Sequence, residues 1–132
     1  MRSEVGDGAV VTKLSPWSMA DTLARLLAVV AAQGMEVFAV IDHSGKARDV
    51  GLALRETKVV IFGSPSAATP VIEAAPLAAL DLPFRVAVWE DGHQTHVSYP
   101  APAAVARRYG LDGDLAEAFA AIDALITAVI DR

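Results

Sequence analysis

Polar side chains that could do chemistry stand where two apolar segments of this chain end. The first segment closes on Asp42 and His43, and the second closes on Gly63 and Ser64, with Thr69 shortly after. An imidazole titrates near neutrality and a nearby carboxylate can hold its tautomer, so His43 could act as a general acid/base or orient a ligand. If His43 faces a cleft, the hydroxyls of Ser64 and Thr69 are its expected companions. These five residues are the predicted ligand-binding residues.

A purely structural interpretation of the same residues stays open. Successive strand residues point to opposite faces, so Asp42 and His43 form a dyad only if the backbone has already turned between them. Asp42 could instead begin a turn by binding backbone amides, with His43 as a half-buried polar residue. A helix that begins after Ser64 would offer free N–H groups to an anion, but Ser64 as N-cap with Pro65 at the first helical position explains the same pattern.

Several classes of chemistry find no support in the sequence. The chain has no cysteine, which excludes disulfides, thiolate nucleophiles and cysteine zinc sites. It also lacks the glycine-rich phosphate loop and the G-x-S-x-G turn, so a serine hydrolase is disfavoured. His93 and His96 lie in and after the Asp91-Gly92 turn, where strand geometry directs them to opposite faces. We therefore expect no metal and no cofactor, and no catalytic residue is assigned.

The composition of the chain argues against several classes of binding partner. The chain has 132 residues and a formal net charge of −5, with its basic residues scattered, which argues against nucleic acid. The longest uninterrupted apolar stretches, such as residues 26–32, are much shorter than the roughly 20 residues needed to cross a bilayer. No apolar leader follows Met1. These features predict a single cytoplasmic domain over residues 1–132 that binds neither nucleic acid nor membranes.

The pattern of apolar residues predicts alternating strands and helices in the first half. A strand over residues 9–14 precedes a helix that begins after Ser18 and ends at Gly34, and a second strand covers residues 36–41. This strand–helix–strand unit is long enough for a crossover between parallel strands. Residues 43–57 are expected to form a short helix or a packed segment supported by Ala47, Val50, Leu52 and Leu54. The β-branched, apolar run of residues 58–62 is then expected to form a central strand.

The second half predicts a short helix after Ser64, ended by Pro76, and then a hairpin. Strands over residues 84–89 and 94–99 flank the Asp91-Gly92 turn and are expected to be antiparallel. The clearest helix covers residues 113–130 and carries an apolar stripe. Its members are Leu115, Phe119, Ile122, Ile126 and Val129. Together, these strands and helices predict an α/β (α+β) two-layer sandwich, with a mixed sheet of about five strands and helices mainly on one face.

Residues 37–99 resemble the bacterial and archaeal family called domain of unknown function 302. The resemblance rests on short motifs rather than on one signature. They are Ile41-Asp42-His43, Ile61-Phe62-Gly63 with Pro65, Thr69-Pro70, Ala79-Leu80-Asp81-Leu82-Pro83 and Val97-Ser98-Tyr99. The resemblance agrees with the two-layer fold and supplies no ligand role for His93 or His96.

Three function classes follow from these observations. The leading hypothesis is a small-molecule or anion-binding module, with a cleft at the strand ends near His43 and Ser64. The first alternative is a homodimeric interaction scaffold without a ligand, since alanine-rich helices and the stripe of the last helix leave apolar surface for a second copy. The second alternative is an enzyme that uses His43 as general acid/base. We expect a homodimer.

Overall fold

The strands and helices follow the chain in a nearly regular alternation. A computed structural model describes residues 9–132. Its strands are β1 Val10–Ser15, β2 Glu36–Asp42, β3 Thr57–Gly63, β4 Phe84–Asp91 and β5 Gln94–Pro100. Its helices are α1 Met19–Ala32, α2 His43–Asp49, α3 Pro65–Ala74, α4 Pro102–Arg108 and α5 Gly113–Ile130, with a 3₁₀ helix at Pro76–Asp81.

All five described strands form one sheet in the order β1-β5-β4-β3-β2, and every neighbouring pair is antiparallel. The prediction of an α/β fold with about five strands is confirmed, but the prediction of a mixed sheet is wrong. β1 and β2 do run in the same direction, as the crossover argument requires. They are the two edges of the sheet, because α1 carries the chain across three strand positions that β5, β4 and β3 later fill. β3 is an interior strand, as expected, with β4 and β2 on its two sides, although the exact middle of the sheet is β4.

The main core lies between one face of the sheet and the helices α1 and α5. Val60 and Phe62 of β3 and Val86 and Val88 of β4 point into this core with no exposed surface. α1 contributes Leu26 and Val30, and α5 contributes most of its predicted stripe. The stripe residues Phe119, Ile122, Ile126 and Val129 are all buried, and Leu115 is partly buried. The stripe is therefore covered within one chain, so it no longer argues for a second copy.

A second cluster joins the remaining helices to the sheet. Val71 of α3, Ala78 of the 3₁₀ helix, Val105 of α4 and Phe119 of α5 pack together. Phe84 contacts both clusters, which places β4 at the junction between them. This second cluster fixes α3 against α5 and so shapes the space between them.

Local signals in the sequence match the element ends. Ser18 caps α1 by accepting a hydrogen bond from the Asp21 N–H, and Gly34 follows the helix at φ 74°, a conformation that glycine adopts without strain. Asp91 pairs with Gln94, so Gly92 and His93 form a two-residue hairpin loop with Gly92 at φ 64°. The predicted antiparallel hairpin is confirmed.

The segment between β2 and β3 differs from its prediction. α2 forms, as one of the two expected outcomes, but the following loop does not pack its apolar side chains. Val50 is 71% exposed, Leu52 is 65% exposed and Leu54 is 47% exposed. Alternation of apolar residues alone cannot distinguish a buried face from a loop that presents them to solvent.

Candidate ligand pocket

A cavity of about 340 Å³ opens between α3, the N-terminal half of α5, the start of β2 and the end of β3. The residues that line it are mostly apolar and come from every one of these elements. They are Met35, Phe38, Gly63, Ser64, Pro65, Ala67, Ala68, Thr69, Val71, Ile72, Leu82, Pro83, Phe84, Ala118, Phe119 and Ala121. Three of the five predicted site residues, Gly63, Ser64 and Thr69, therefore lie at one cavity.

The turn from β3 into α3 places the polar part of the cavity wall. Gly63 is buried at the end of β3, and a Cβ atom there would lie 3.2 Å from the Pro83 Cβ. Ser64 is the N-cap of α3 and Pro65 occupies the first turn, as the sequence predicted. A side chain larger than glycine at position 63 would crowd the wall, so the close approach of β3 to Pro83 depends on this glycine.

Aromatic rings form the inner wall. Phe84 lies between two other phenylalanines, with ring centroids 5.6 Å from Phe62 and 6.2 Å from Phe119. The Phe84–Phe119 pair is edge-on, which is one of the favoured geometries for aromatic rings. At the opposite side, Phe38 on the edge strand β2 is 48% exposed, although it lines the cavity. The cavity thus runs from a solvent-facing ring to rings of the core.

The two hydroxyls in the wall form hydrogen bonds with backbone groups of α3 itself. The Ser64 Oγ accepts a hydrogen bond from the Ala67 N–H at 3.4 Å and lies 3.0 Å from the Ser66 Oγ. The Thr69 Oγ1 donates to the Pro65 carbonyl at 2.7 Å. None of the described residues that line the cavity is charged. The capping interpretation of Ser64 is confirmed, and the wall offers apolar surface rather than an anion-binding cradle.

Asp42 and His43 lie at the opposite end of the same strands. In the β2–β3 register Asp42 is paired with Lys58, whereas Gly63 is paired with Glu36. Lys58 and Gly63 are five positions apart, which is about 17 Å at roughly 3.4 Å per strand residue. The expectation of a shared cleft near His43 and Ser64 is therefore wrong. Its physical cause is the antiparallel pairing, since the end of β2 then meets the start of β3.

The side chain of Asp42 caps α2, the helix that follows it. Its carboxylate accepts hydrogen bonds from the Ser44 hydroxyl at 2.7 Å and the Gly45 N–H at 3.0 Å, and so caps α2. The hydrogen bond from Ser44 lowers the pKa of Asp42, with further contributions from the Gly45 N–H and the charge of Lys58. His43 occupies the first position of α2 and is exposed rather than half-buried. The structural interpretation of Asp42 as a turn-forming residue is confirmed.

The other histidines do not assemble a cluster. His96 on β5 stacks on Trp89 of β4 with centroids 4.3 Å apart, while His93 is in the exposed hairpin loop. Among residues 9–132, no group of three or more His, Cys, Asp or Glu side chains is placed to hold a metal ion.

The family model for "Domain of unknown function DUF302" matches residues 11–129. The chain belongs to the DUF302 family. The family match extends well beyond residues 37–99, on which the resemblance was based. The crystal structure of an uncharacterized conserved DUF302 protein from Bacillus stearothermophilus has the same fold, with a TM-score of 0.78 at 22% identity over 92% of this chain and 95% of that one.

Curated proteins from Brucella are also similar to this chain, and their name does not refer to DUF302. Proteins named fluoride-specific ion channel FluC 1 from Brucella suis and from Brucella abortus are each 37% identical over 113 residues, which is 83% of this chain. The DUF302 chain spans less than half of their length, 44% and 42% respectively. Within residues 9–132 of the DUF302 protein, no helix is both long enough and apolar enough to cross a bilayer.

Sequence reasoning missed the apolar half of this DUF302 pocket. Phe38 and Phe84 fall within predicted strands and Phe119 within the predicted stripe of the last helix, and nothing local distinguishes a ring that lines a cavity from one that fills a core. Asp81 belongs to the motif Ala79-Leu80-Asp81-Leu82-Pro83, in which no local signal indicates its contacts. Its carboxylate accepts hydrogen bonds from Arg108 at 2.8 Å and from the Tyr109 hydroxyl, which tie the 3₁₀ helix to α4 just before Leu82 and Pro83 enter the pocket wall.

Proposed function

We propose that this DUF302 domain binds a small, largely apolar molecule in the cavity between α3 and α5. The observation that supports this proposal is a cavity of about 340 Å³ whose described lining residues carry no charge and only two hydroxyls, both already hydrogen-bonded. Binding sites for small molecules are typically concave, mostly apolar and of this size. The proposed module binds a small molecule, as the leading hypothesis from the sequence has it, but involves neither an anion nor His43. Acid/base catalysis by His43 is not proposed, because His43 lies outside this cavity.

The size and walls of the pocket favour a ligand with two fused rings. An apolar cavity of about 150 Å³ in another protein holds benzene. The present cavity is roughly twice as large, and three of its sixteen lining residues are phenylalanines. Rings stacked edge-on or offset against these phenylalanines gain about 1 kcal/mol beyond the burial of their area. A neutral naphthyl compound such as 1-naphthalenemethanol is therefore a suitable first probe.

A matched pair of variants on α5 tests the proposal. Ala118 lines the cavity, whereas Ala120 is exposed on the same helix and does not. Ala118→Leu is expected to fill the space and weaken binding of 1-naphthalenemethanol by about tenfold or more. Ala120→Leu is expected to leave the affinity unchanged. Titration calorimetry gives the affinities, and amide chemical shifts of Gly63 and Ala68 report whether the probe is in the pocket.

Two outcomes contradict the proposal. Failure of the wild-type protein to bind the probe at millimolar concentration is one, and equal weakening by both leucine variants is the other. Ala67→Leu, at an exposed position of the same wall, provides a second pocket-filling variant if Ala118→Leu is poorly folded.

The name of the Brucella relatives raises fluoride as a second ligand to test. Fluoride is a small, strongly hydrated anion, and transfer into an apolar site without compensating charge is costly. The described lining of the pocket carries no such charge. We therefore expect no change in the ¹⁹F line of sodium fluoride when the domain is added, and displacement of 1-naphthalenemethanol by fluoride would contradict this expectation.

A homodimeric scaffold is a second proposed function, supported by the exposed loop after α2 rather than by the buried stripe of α5. The loop after α2 exposes Val50, Leu52 and Leu54, each by 47% or more. Contiguous exposed apolar side chains are typical of interaction surfaces. Light scattering at micromolar concentration is expected to give twice the chain mass of 13.8 kDa, and Leu52→Ser/Leu54→Ser should return the single-chain mass. A wild-type particle of single-chain mass would overturn the dimer.

A further inference from the structure

The sheet has a second face, opposite the one that α1 and α5 cover. Val60 and Phe62 of β3 and Val86 and Val88 of β4 point into the core, and successive strand residues point to opposite faces. The residues that alternate with them, together with their partners on neighbouring strands, form the other face, which we call the open face. Its apolar members are at least partly exposed, and none belongs to either core cluster. They are Leu14, Ala39, Ile41, Val59, Ile61, Ala87 and Trp89.

Polar side chains at the centre of the open face bind each other. The Trp89 indole N–H donates to the Ser98 Oγ at 2.9 Å, and the Ser98 Oγ lies 2.9 Å from the Thr12 Oγ1. The His96 ring stacks on Trp89 with centroids 4.3 Å apart. Burial of a polar group that is already hydrogen-bonded costs much less than burial of an unpaired one. A partner can therefore cover Trp89 and Ser98 without supplying hydrogen bonds to them.

The open face adjoins the exposed loop after α2. Arg55, at the end of that loop, has its Nη1 3.4 Å from the Oδ1 of Asp91, which ends the row of β4 side chains on the open face. Five strands about 4.8 Å apart and about six residues long give this face an area of roughly 480 Å². A stable dimer buries about 800 Å² on each copy. The open face supplies more than half of that area, and the loop with Val50, Leu52 and Leu54 extends it.

The side chains of β4 are arranged so that two copies of the open face complement each other. Arg85 is at one end of the β4 row and is exposed, and Asp91 is at the other end, with its side chain 42% exposed. A two-fold axis parallel to the sheet and perpendicular to β4, above Val88, brings position 85 of one copy opposite position 91 of the other. The same rotation brings the small side chain of Ala87 opposite the large one of Trp89. Opposite charges and unequal sizes then meet reciprocally, as a closed symmetric dimer requires.

We propose that a second copy of this chain covers the open face, so that two sheets pack face to face about a two-fold axis near Val88, with the loop after α2 at the rim. This inference rests on the second proposed function, the homodimer, and names its interface. Sheets that pack in this way lie about 10 Å apart with their side chains interdigitated. Ala87 and Trp89 are then at the centre of the interface, and Arg85 and Asp91 are at its ends.

A matched pair of arginine variants tests the position of the interface. Ala87 is in the centre of the open face, whereas Ala120 is exposed on α5, which packs on the other side of the sheet. Ala87→Arg places an unpaired charge between the two sheets and is expected to raise the Kd of the dimer about 100-fold or more. Ala120→Arg changes the net charge equally and should leave the Kd unchanged. Sedimentation equilibrium measures the Kd, and far-UV circular dichroism checks that both variants are folded.

A charge exchange tests the two-fold arrangement and serves as the second test if Ala87→Arg is poorly folded. Arg85→Glu places a carboxylate opposite Asp91 of the second copy and is expected to raise the Kd about tenfold. Arg85→Glu/Asp91→Arg restores opposite charges across the interface and should return the Kd toward that of the wild type. The control Arg107→Glu makes the same change of charge at an exposed position of α4 and should have no effect.

The possible results separate this inference from the homodimer itself. If the wild type has the single-chain mass at micromolar concentration, both the homodimer and this interface are wrong. If Leu52→Ser/Leu54→Ser dissociates the dimer while Ala87→Arg and Arg85→Glu do not, the homodimer stands and the open face is not its interface. Equal dissociation by Ala87→Arg and Ala120→Arg, or a charge exchange that fails to restore the dimer, also overturns the inference.

Discussion

The hydroxyl of Tyr99, on β5, donates a hydrogen bond to the Oδ1 of Asp123, on α5, at 2.5 Å. Tyr99 is only 1% exposed, whereas Asp123 is on the solvent side of its helix. This hydrogen bond joins the sheet to the helix whose first half forms one wall of the pocket. It therefore helps to fix where that wall lies.

Tyr99→Phe is expected to lower the free energy of unfolding by about 1.5 kcal/mol, because a hydrogen bond to a charged acceptor is lost while the ring stays packed. Asp123→Ala leaves the buried hydroxyl without its acceptor and should cost at least as much. Urea unfolding of both single variants and of the double variant measures the coupling between them. Additive costs in the double variant would contradict a direct contribution of this pair to stability.

The same pair predicts a dependence on alkaline pH. Burial and the hydrogen bond to Asp123 raise the pKa of Tyr99 well above its ordinary value of about 10. A raised pKa stabilises the protonated folded state, so this contribution is complete below pH 10 and is lost as the pH rises toward the folded value. The difference in unfolding free energy between the wild type and Tyr99→Phe should be constant from pH 7 to 9 and shrink above pH 10. A difference that grows above pH 10 would contradict the assignment.

Features that depend on a few neighbouring residues could be predicted from the sequence. Ser18 caps α1, Ser64 caps α3 and the Asp91-Gly92 pair begins a hairpin, as expected, because each involves contacts within about four positions. The stripe of α5 was also correct, since a helix with one apolar face has to bury it. The number of strands and the α/β class followed from these elements.

The strand order could not be predicted, because it depends on contacts between distant parts of the chain. The direction of β2 relative to β1 was right, but the strands that separate them come later in the sequence. That one difference moved His43 away from Ser64 and divided the predicted site between two ends of the sheet. In the sequence, hydroxyl and imidazole side chains at strand ends indicate a possible site. The phenylalanines that line the cavity cannot be told apart from core residues.

Variants at Asp42 and His43 test this division directly. His43→Ala and Asp42→Ala are expected to leave the affinity for 1-naphthalenemethanol unchanged, because both residues lie about 17 Å from Gly63 along the strands. Asp42→Ala should still destabilise the fold, since it removes the cap of α2. The pKa of Asp42 is lowered in the folded state, so this loss should be present above about pH 4 and fade as the pH falls further. Weaker binding of 1-naphthalenemethanol by His43→Ala would contradict this division and support the hypothesis of a cleft shared by His43 and Ser64.

Phe38 provides the sharpest test of the pocket mouth, because the same strand offers a matched control. Phe38 is 48% exposed and lines the cavity, while Val40 is 44% exposed and does not. Phe38→Ala is expected to weaken binding of 1-naphthalenemethanol by about fivefold through loss of a ring contact, and Val40→Ala should have no effect. Each substitution removes a half-exposed side chain, so both should lower the free energy of unfolding by less than about 1.5 kcal/mol. Calorimetric titration gives the affinities and urea unfolding the stabilities. Equal affinities for the two variants would place the ligand away from the edge strand and leave the exposed ring of Phe38 without a role in binding.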